Sequence, residues 1–338
     1  MFIVIEGTDA SGKSTLVEEI KKQLAISNPH KPLDFFHKGK PEDMTRRWVL
    51  NDYVNSIQTR DFVSTNAVAD RWHWGEVTYA PLKRPAYNKD GYGLLGLPGW
   101  RWTELFLASR GVAQFWLYQP LEVIKKRLES RGDDYVSSDE LEKILELYRF
   151  AVGNSCNLTD VILPDADNMG EVPYLARSII TQAQNVARDA LPISEFPEYI
   201  GTPRPKALLV GDTRNISKKY GEETILPFMP VDGNSGDFLL TALDNDDWKE
   251  MGIVNINEEG MRTRFTRLWT TLGEPNIICL GRLAEKGVYK AGVNENFYRV
   301  VSHPQHVRRF YYSRRDEYGQ AISRIADTMD KGDPWILR

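Results

Sequence analysis

Nine consecutive residues near the start of the chain, Gly7-Thr8-Asp9-Ala10-Ser11-Gly12-Lys13-Ser14-Thr15, constrain its fold more than any other feature. They follow the apolar run Phe2–Ile5 and lead into a helical pattern, so a strand, a glycine-punctuated turn and a helix are set in succession. Gly7 and Gly12 let backbone amides converge on phosphate oxygens. Lys13 supplies a point charge to the outer phosphates, and the Ser14 hydroxyl can ligate Mg²⁺. Ser14 and Thr15 open the helix, whose N-terminal partial positive charge adds to the attraction. Such a loop belongs at the carboxyl end of a parallel strand, which commits this part of the chain to an α/β sheet.

The rest of the first half fits that commitment. Short apolar runs at Leu33–Phe36, Ala67–Ala69, Ala113–Leu117 and Val161–Leu163 read as strands. Helical patterns at Ser14–Leu24, Trp102–Ser109, Leu121–Glu129, Ser138–Val152 and residues 174–189 separate and close them, giving a parallel sheet with helices on both faces. A chain of 338 residues exceeds one such unit. Residues 191–206 carry prolines at 192, 197, 203 and 205 and read as an extended linker between a domain at 1–190 and another at 207–338. In the second domain apolar runs at Ala207–Val210, Ile253–Ile256, Ile277–Leu280 and Tyr298–Val301 alternate with helical stretches at Asp237–Leu243, Gly260–Leu272, Arg282–Val288 and His306–Ala326. This predicts a second, smaller α/β unit.

Beyond the loop, residues 1–190 resemble the thymidylate kinase branch of the nucleotide and deoxynucleoside kinases. The likeness rests on Glu6 through Thr15, on Asp70-Arg71-Trp72 at the end of a strand, and on Arg127-Leu128-Glu129-Ser130-Arg131 through Tyr135 in the place of the family's lid. It implies that Asp9 contacts the acceptor sugar and that Asp70 and Arg71 organise Mg²⁺ and the phosphoryl acceptor. Arg127 and Arg131 would close over the transferred phosphate, with ATP and Mg²⁺ as cofactors. His37-Lys38-Gly39-Lys40-Pro41 stands where the family carries a basic substrate loop in the form Arg-Glu-Pro-Gly-Gly. Trp72, Trp74, Tyr79, Trp100 and Trp102 supply rings that can stack on a base or fill a core.

Five short pieces of the second half, taken in order, resemble the uracil-DNA glycosylase superfamily over residues 205–325. They are Gly211-Asp212 after a strand, Pro227-Phe228 with Ser235-Gly236, Asn255 ending a strand, Leu280-Gly281-Arg282-Leu283-Ala284, and His303-Pro304. The likeness implies that Asp212 activates water, Phe228 stacks a base, Asn255 reads its edge and His303 stabilises the departing base. Gln305 stands where that superfamily has serine, and two cysteines cannot hold an iron–sulfur cluster. A base- or nucleic-acid-recognising module without cleavage is the leading expectation, beside an active glycosylase and a structural or dimerising module. Downstream, His306, Arg308, Arg309, Arg314 and Arg315 interleave with Phe310, Tyr311 and Tyr312.

Two readings of function follow. One is ATP/Mg²⁺-dependent phosphorylation of a free pyrimidine deoxynucleotide, dTMP or a modified dUMP. The other moves the same chemistry onto the hydroxyl of 5-hydroxymethyluracil within DNA, as thymine-hypermodifying bacteriophages do, with the second domain recognising base or DNA. A non-catalytic nucleotide switch is a third, disfavoured because a switch needs no second set of phosphate cations. The net charge of −4 argues against a protein that coats nucleic acid non-specifically. Cys156 and Cys279 lie far apart, and no apolar run approaches the roughly 20 residues of a membrane span. A cytoplasmic setting (the host's, for a viral chain) and a nucleotide or DNA partner are the expectations, with a homodimer as the kinase family often forms.

Overall fold

The computed structural model describes residues 1–39, 41–58, 64–88, 90–131, 136–164, 169–213, 226–231, 233–243, 246–329 and 335, and all side chains among them except those of residues 131, 138 and 169. The chain forms two compact units. One comprises Met1–Gly96 and Gly111–Asp189, the other Leu97–Arg110 and Ala190–Arg338.

In the first unit the strands are β1 (Phe2–Glu6), β2 (Leu33–His37), β3 (Asn66–Asp70), β4 (Val112–Leu117) and β5 (Leu158–Ile162). They form one parallel sheet in the order β2-β3-β1-β4-β5. β1, β3 and β4 are buried throughout, as central parallel strands covered on both faces must be. Helices α1 (Lys13–Ser27), α2 (Arg46–Gln58), α3 (Gly75–Thr78), α4 (Ala80–Lys83), α6 (Leu121–Arg131), α7 (Ser138–Asn154) and α8 (Val172–Ser194) connect and follow the strands, with α5 (Gly96–Ser109) between α4 and β4. Leu16, Val17, Ile20 and Leu24 of α1 recur at helical spacing and pack with Ile3, Ile5, Ala113 and Phe115. A capping box starts α7: Ser137 Oγ accepts from Glu140 N while the Glu140 carboxylate accepts from Ser137 N.

The second unit has β6 (Ile200–Gly201), β7 (Ala207–Gly211), β8 (Met251–Asn255), β9 (Asn276–Leu280) and β10 (Tyr298–Val301) in the order β10-β9-β7-β8-β6. All pairs are parallel except the short edge pair β6–β8. Its helices are α9 (Ser235–Ala242), α10 (Met261–Thr271), α11 (Arg282–Lys290), α12 (Pro304–Phe310) and α13 (Arg315–Thr328). The core joins Val210, Val254, Phe265, Leu268, Ile277 and Cys279 to Ala190, Ile193, Phe196 and Tyr199.

That last group corrects the linker expected at 191–206. Pro192 falls in the final turn of α8, where it removes only one late amide, and the buried Ile193 beside it rewards continuing the helix. Ile200–Gly201 then adds a strand to the sheet. Helix α5 is a second departure, because Leu97–Arg110 cluster with the second unit although the sequence places them inside the first. Arg101, almost wholly buried, donates through Nη1 to Leu240 O and Leu243 O at 2.7 Å each, satisfying carbonyls at the C-terminal end of α9. Trp102 Nε1 donates to Pro227 O at 3.0 Å. The single helix expected over His306–Ala326 is broken at residues 311–314, between α12 and α13.

Candidate functional site

The phosphate loop sits at the carboxyl end of β1, the strand about which the order of the first sheet reverses, where open α/β sheets form their ligand crevice. Gly7 and Gly12 have φ of 155° and 98°, and a Cβ on Gly7 would press on Leu117 O at 2.7 Å. Glycine is thus required at Gly7 by backbone sign and by space together, and at Gly12 by backbone sign. Ala10 takes φ 57° between them. Lys13, first residue of α1, lies folded over the loop with Nζ donating to Thr8 O at 2.6 Å. Burial lowers its ammonium to about 8, the Arg71 guanidinium adding to the fall. Tyr148, fully buried on α7, donates to Gly7 O at 2.8 Å and fixes the loop's first turn.

Around the loop the structure gathers residues from distant segments. Arg71, in the left-handed region at φ 68°, pairs through Nη2 with Asp9 Oδ1. Tyr79 Oη donates to Asp9 Oδ2 at 3.2 Å and accepts from Asp9 N at the same distance. Burial raises the Tyr79 phenol, so it stays protonated as this donor. The Arg71 guanidinium lies 4.8 Å from the Tyr79 ring centroid. Asp70, last residue of β3, has Oδ2 at 3.5 Å from Ser14 Oγ and at 3.8 Å from His37 Nδ1. Arg127 Nη1 on α6 donates to Ala10 O and Ser11 O at 3.3 Å, placing a second cation against the loop. Thr15 is exposed on α1. The Arg131 side chain and residues 132–135, read from the sequence as the rest of a lid, lie outside the described residues.

These groups suit a nucleoside triphosphate with Mg²⁺. Thr8 Oγ1, Asp70 Oδ1 and Arg71 Nε are buried without a hydrogen-bond partner, so the site holds polar capacity that the protein itself leaves unmet. Asp70 and Ser14 offer hard oxygens of the kind Mg²⁺ takes when phosphates supply the remainder. Among the described residues no group of three or more His, Cys, Asp or Glu could hold a metal by itself.

Lys38 does not face the loop: its Nζ pairs with Asp52 at 2.6 Å, donates to Ser56 at 2.9 Å, and lies 5.0 Å from the Trp72 ring. Trp72, Trp74, Trp100 and Trp102 fill the core, one of the two roles their sequence left open. Trp72, for instance, packs edge-on against Phe2 and Phe36. What the sequence missed is Tyr148, whose hydroxyl acts on the loop from α7 with no motif around it, and the part of Tyr79 that matters, its hydroxyl on Asp9 rather than its ring.

In the second unit the four candidate residues share the carboxyl edge of the sheet. Gly211-Asp212 ends β7, Asn255 ends β8, and His303 follows β10. Phe228, at φ 48°, lies in the connection to α9. A Cβ placed on Gly211 would run into both Asn255 Oδ1 and the Phe228 ring, so these three meet at one point. Asn255 is 1% exposed and its Oδ1 has no hydrogen-bond partner. Asp212 Oδ1 accepts from Asn257 Nδ2, and Asn257 Oδ1 accepts from Arg262. His303 Nδ1 accepts from Gln305 N at 3.1 Å and caps α12, while burial lowers its imidazole and the Asp212 charge opposes that fall.

No protein-family model matches the chain. Its N-terminal half is similar to the SPbeta prophage-derived protein YorR of Bacillus subtilis (strain 168), with 28% identity over 155 residues, 45% of this chain and 82% of YorR. The solved structure of YorR in complex with phosphorylated GDP covers 54% of this chain and 96% of its own, at 24% identity and a TM-score of 0.42. Deoxyadenosine kinase from M. mycoides, with dCMP and dCDP bound, covers 55% of this chain and 100% of its own at 17% identity and a TM-score of 0.33. Shikimate kinase from Acinetobacter baumannii, in complex with shikimate, covers 54% and 93% at 16% identity and a TM-score of 0.32. Among the described residues no helix is long and apolar enough to cross a membrane.

Proposed function

We propose that the first unit is an ATP- and Mg²⁺-dependent kinase of the thymidylate kinase type, transferring the γ-phosphoryl group to a pyrimidine deoxynucleotide, dTMP or a modified dUMP. The observation that carries it is the convergence on one phosphate loop of Lys13, Arg71 and Arg127 with two carboxylates, Asp9 and Asp70. Phosphoryl transfer needs positioning and charge neutralisation from several sides, and a loop that only bound nucleotide would not need the Asp9–Arg71–Tyr79 cluster beside it. In this reading Lys13 and Arg127 hold the phosphates of the donor. Asp9, oriented by Arg71 and Tyr79, accepts a hydrogen bond from the sugar of the acceptor. Asp70 and Ser14 would hold the metal, whose charge offsets that developing on the transferred group.

A second reading keeps the kinase and changes its acceptor to 5-hydroxymethyluracil within DNA. The buried, unpartnered Asn255 Oδ1 beside the Phe228 ring favours it, because an amide edge next to an aromatic face suits a planar base. The engagement of Asp212 by Asn257 supports recognition of a base over its hydrolytic removal. The similarity to a prophage protein accords with a phage setting for either reading. Incubation with γ-labelled ATP and, separately, dTMP, 5-hydroxymethyl-dUMP and hydroxymethyluracil-containing duplex distinguishes them. Label on a free nucleotide supports the first reading, label on the duplex the second, and label on none contradicts both.

A further inference from the structure

The last turn of α12 and the residues after it form a surface that the proposed chemistry does not use. Phe310, Tyr311 and Tyr312 are exposed in sequence, Phe310 at 68% and Tyr312 at 61%. The His306 ring lies 4.9 Å from that of Phe310, centroid to centroid. Arg308 and Arg309 precede these rings, and among the described residues neither pairs with a carboxylate. Their neighbours behave differently: Arg314 is paired with Glu317 at 2.6 Å and Arg315 with Asp316 at 3.1 Å. Among the described residues Glu317 and Asp316 are thus already matched, which leaves two cations beside the exposed Phe310 ring and beside Tyr311 and Tyr312, whose rings also meet Trp335 and Phe238 at 6.0 and 6.2 Å, on a chain whose net charge is −4.

We propose that His306–Tyr312 is a docking surface for a single-stranded polynucleotide, with Arg308 and Arg309 on its phosphates and Phe310 and Tyr312 against its bases. Charge selects an anionic partner, and the rings select one with free planar faces. A duplex hides its base faces within the stack. A second copy of this chain, docked patch to patch about a two-fold axis, would set arginine against arginine. The segment also begins three residues beyond His303, so the surface continues from the carboxyl edge of the second sheet. This inference does not depend on the kinase reading.

Fluorescence anisotropy with a labelled oligothymidylate tests it on the full chain. The single strand should bind more tightly than a duplex of equal length. Phe310→Ala should weaken binding about tenfold by removing one stacked base. Arg308→Ala with Arg309→Ala should lower the slope of log affinity against log salt by about 0.7 per arginine. Phe310 and Arg309 are exposed and Arg308 is half-buried, so thermal melts are run on each variant to show that the fold is kept. Lys13→Ala, which leaves the patch intact, should bind the oligonucleotide normally, so failure of the kinase reading is seen separately. Binding unchanged in the variants, or equal affinity for single strand and duplex, overturns the proposal. So does a concentration-dependent dimer that Phe310→Ala dissolves in the absence of oligonucleotide binding, since the patch would then be a self-interface.

Discussion

Arg71 and Asp9 form an ion pair that ties the end of β3 to the phosphate loop, with the Tyr79 hydroxyl bridging both at 3.2 and 3.3 Å. Arg71 holds this position from the left-handed region, at φ 68°, so its backbone is committed to the contact. Asp9→Asn keeps the shape and removes the charge. We expect the acceptor KM to rise by about 10- to 100-fold, the worth of a charged hydrogen bond, with ATP affinity nearly unchanged. Steady-state kinetics against each substrate separates the two. An effect confined to ATP would place Asp9 on the donor side instead.

Lys13 makes nucleotide binding sensitive to pH. Burial sets its ammonium at about 8 in the free protein, and bound phosphates would restore the charge, so binding takes up a proton where free Lys13 is partly neutral. ATP affinity should therefore fall as pH rises through about 8. Calorimetry in two buffers of different ionisation enthalpy should report net proton uptake in that range. A buffer-independent enthalpy contradicts the assignment.

Glu140 gives the first unit an acid limit. Its carboxylate accepts from Lys83 Nζ at 2.9 and 3.0 Å and from Ser137 N at 2.9 Å, and these bonds, the Lys83 one foremost, hold it down at about 2. A folded value below the ordinary 4.5 contributes stability that is complete above 4.5 and is lost as pH falls toward about 2. Glu140→Gln should lower the urea midpoint at neutral pH and converge on wild type at the acid end of that window. An equal gap at both ends would show that the charge has no part in it.

Much of this fold was legible because buried parallel strands are written as short apolar runs and the phosphate loop has a spacing of its own. Phe2–Glu6, Val112–Leu117 and Asn276–Leu280 each fall within a residue of the expected strand at either end. What escaped the sequence depends on tertiary context. Helix α2 is largely polar, with Arg46, Arg47, Asn51, Asp52 and Asn55 diluting its apolar face, and carries no strong periodic signal. Pro192 reads as a stop, yet the burial of Ile193 carries α8 past it. Lys38 stands where the resemblance places a basic substrate loop, but it pairs with Asp52 and lies beside the Trp72 ring. Tyr148 reaches Gly7 across more than half of the first unit's sequence, a contact that no local pattern encodes.

The two units do not divide at one point of the chain. Helix α5 belongs to the second unit while the segments before and after it belong to the first. Arg101 within it satisfies two carbonyls at the end of α9, so Arg101→Ala should cost about 2–4 kcal/mol by leaving them buried and unpaired. Expression of residues 1–190 alone should give a chain that unfolds at lower temperature or aggregates, because the apolar side chains of α5 lose their cover. Differential scanning calorimetry checks both. A fragment as stable as the first transition of the intact protein would contradict the interleaving.

The most direct test of the central claim is transfer of label from γ-labelled ATP, with Mg²⁺, to a pyrimidine deoxynucleotide or to hydroxymethyluracil in DNA, by wild type and by Lys13→Ala. The account predicts labelled acceptor with wild type and a loss of about 100-fold or more in Lys13→Ala, the scale expected when a charge aimed at the transferred phosphate is removed. Wild type that binds ATP but labels none of these acceptors, or Lys13→Ala that transfers as well as wild type, would contradict it.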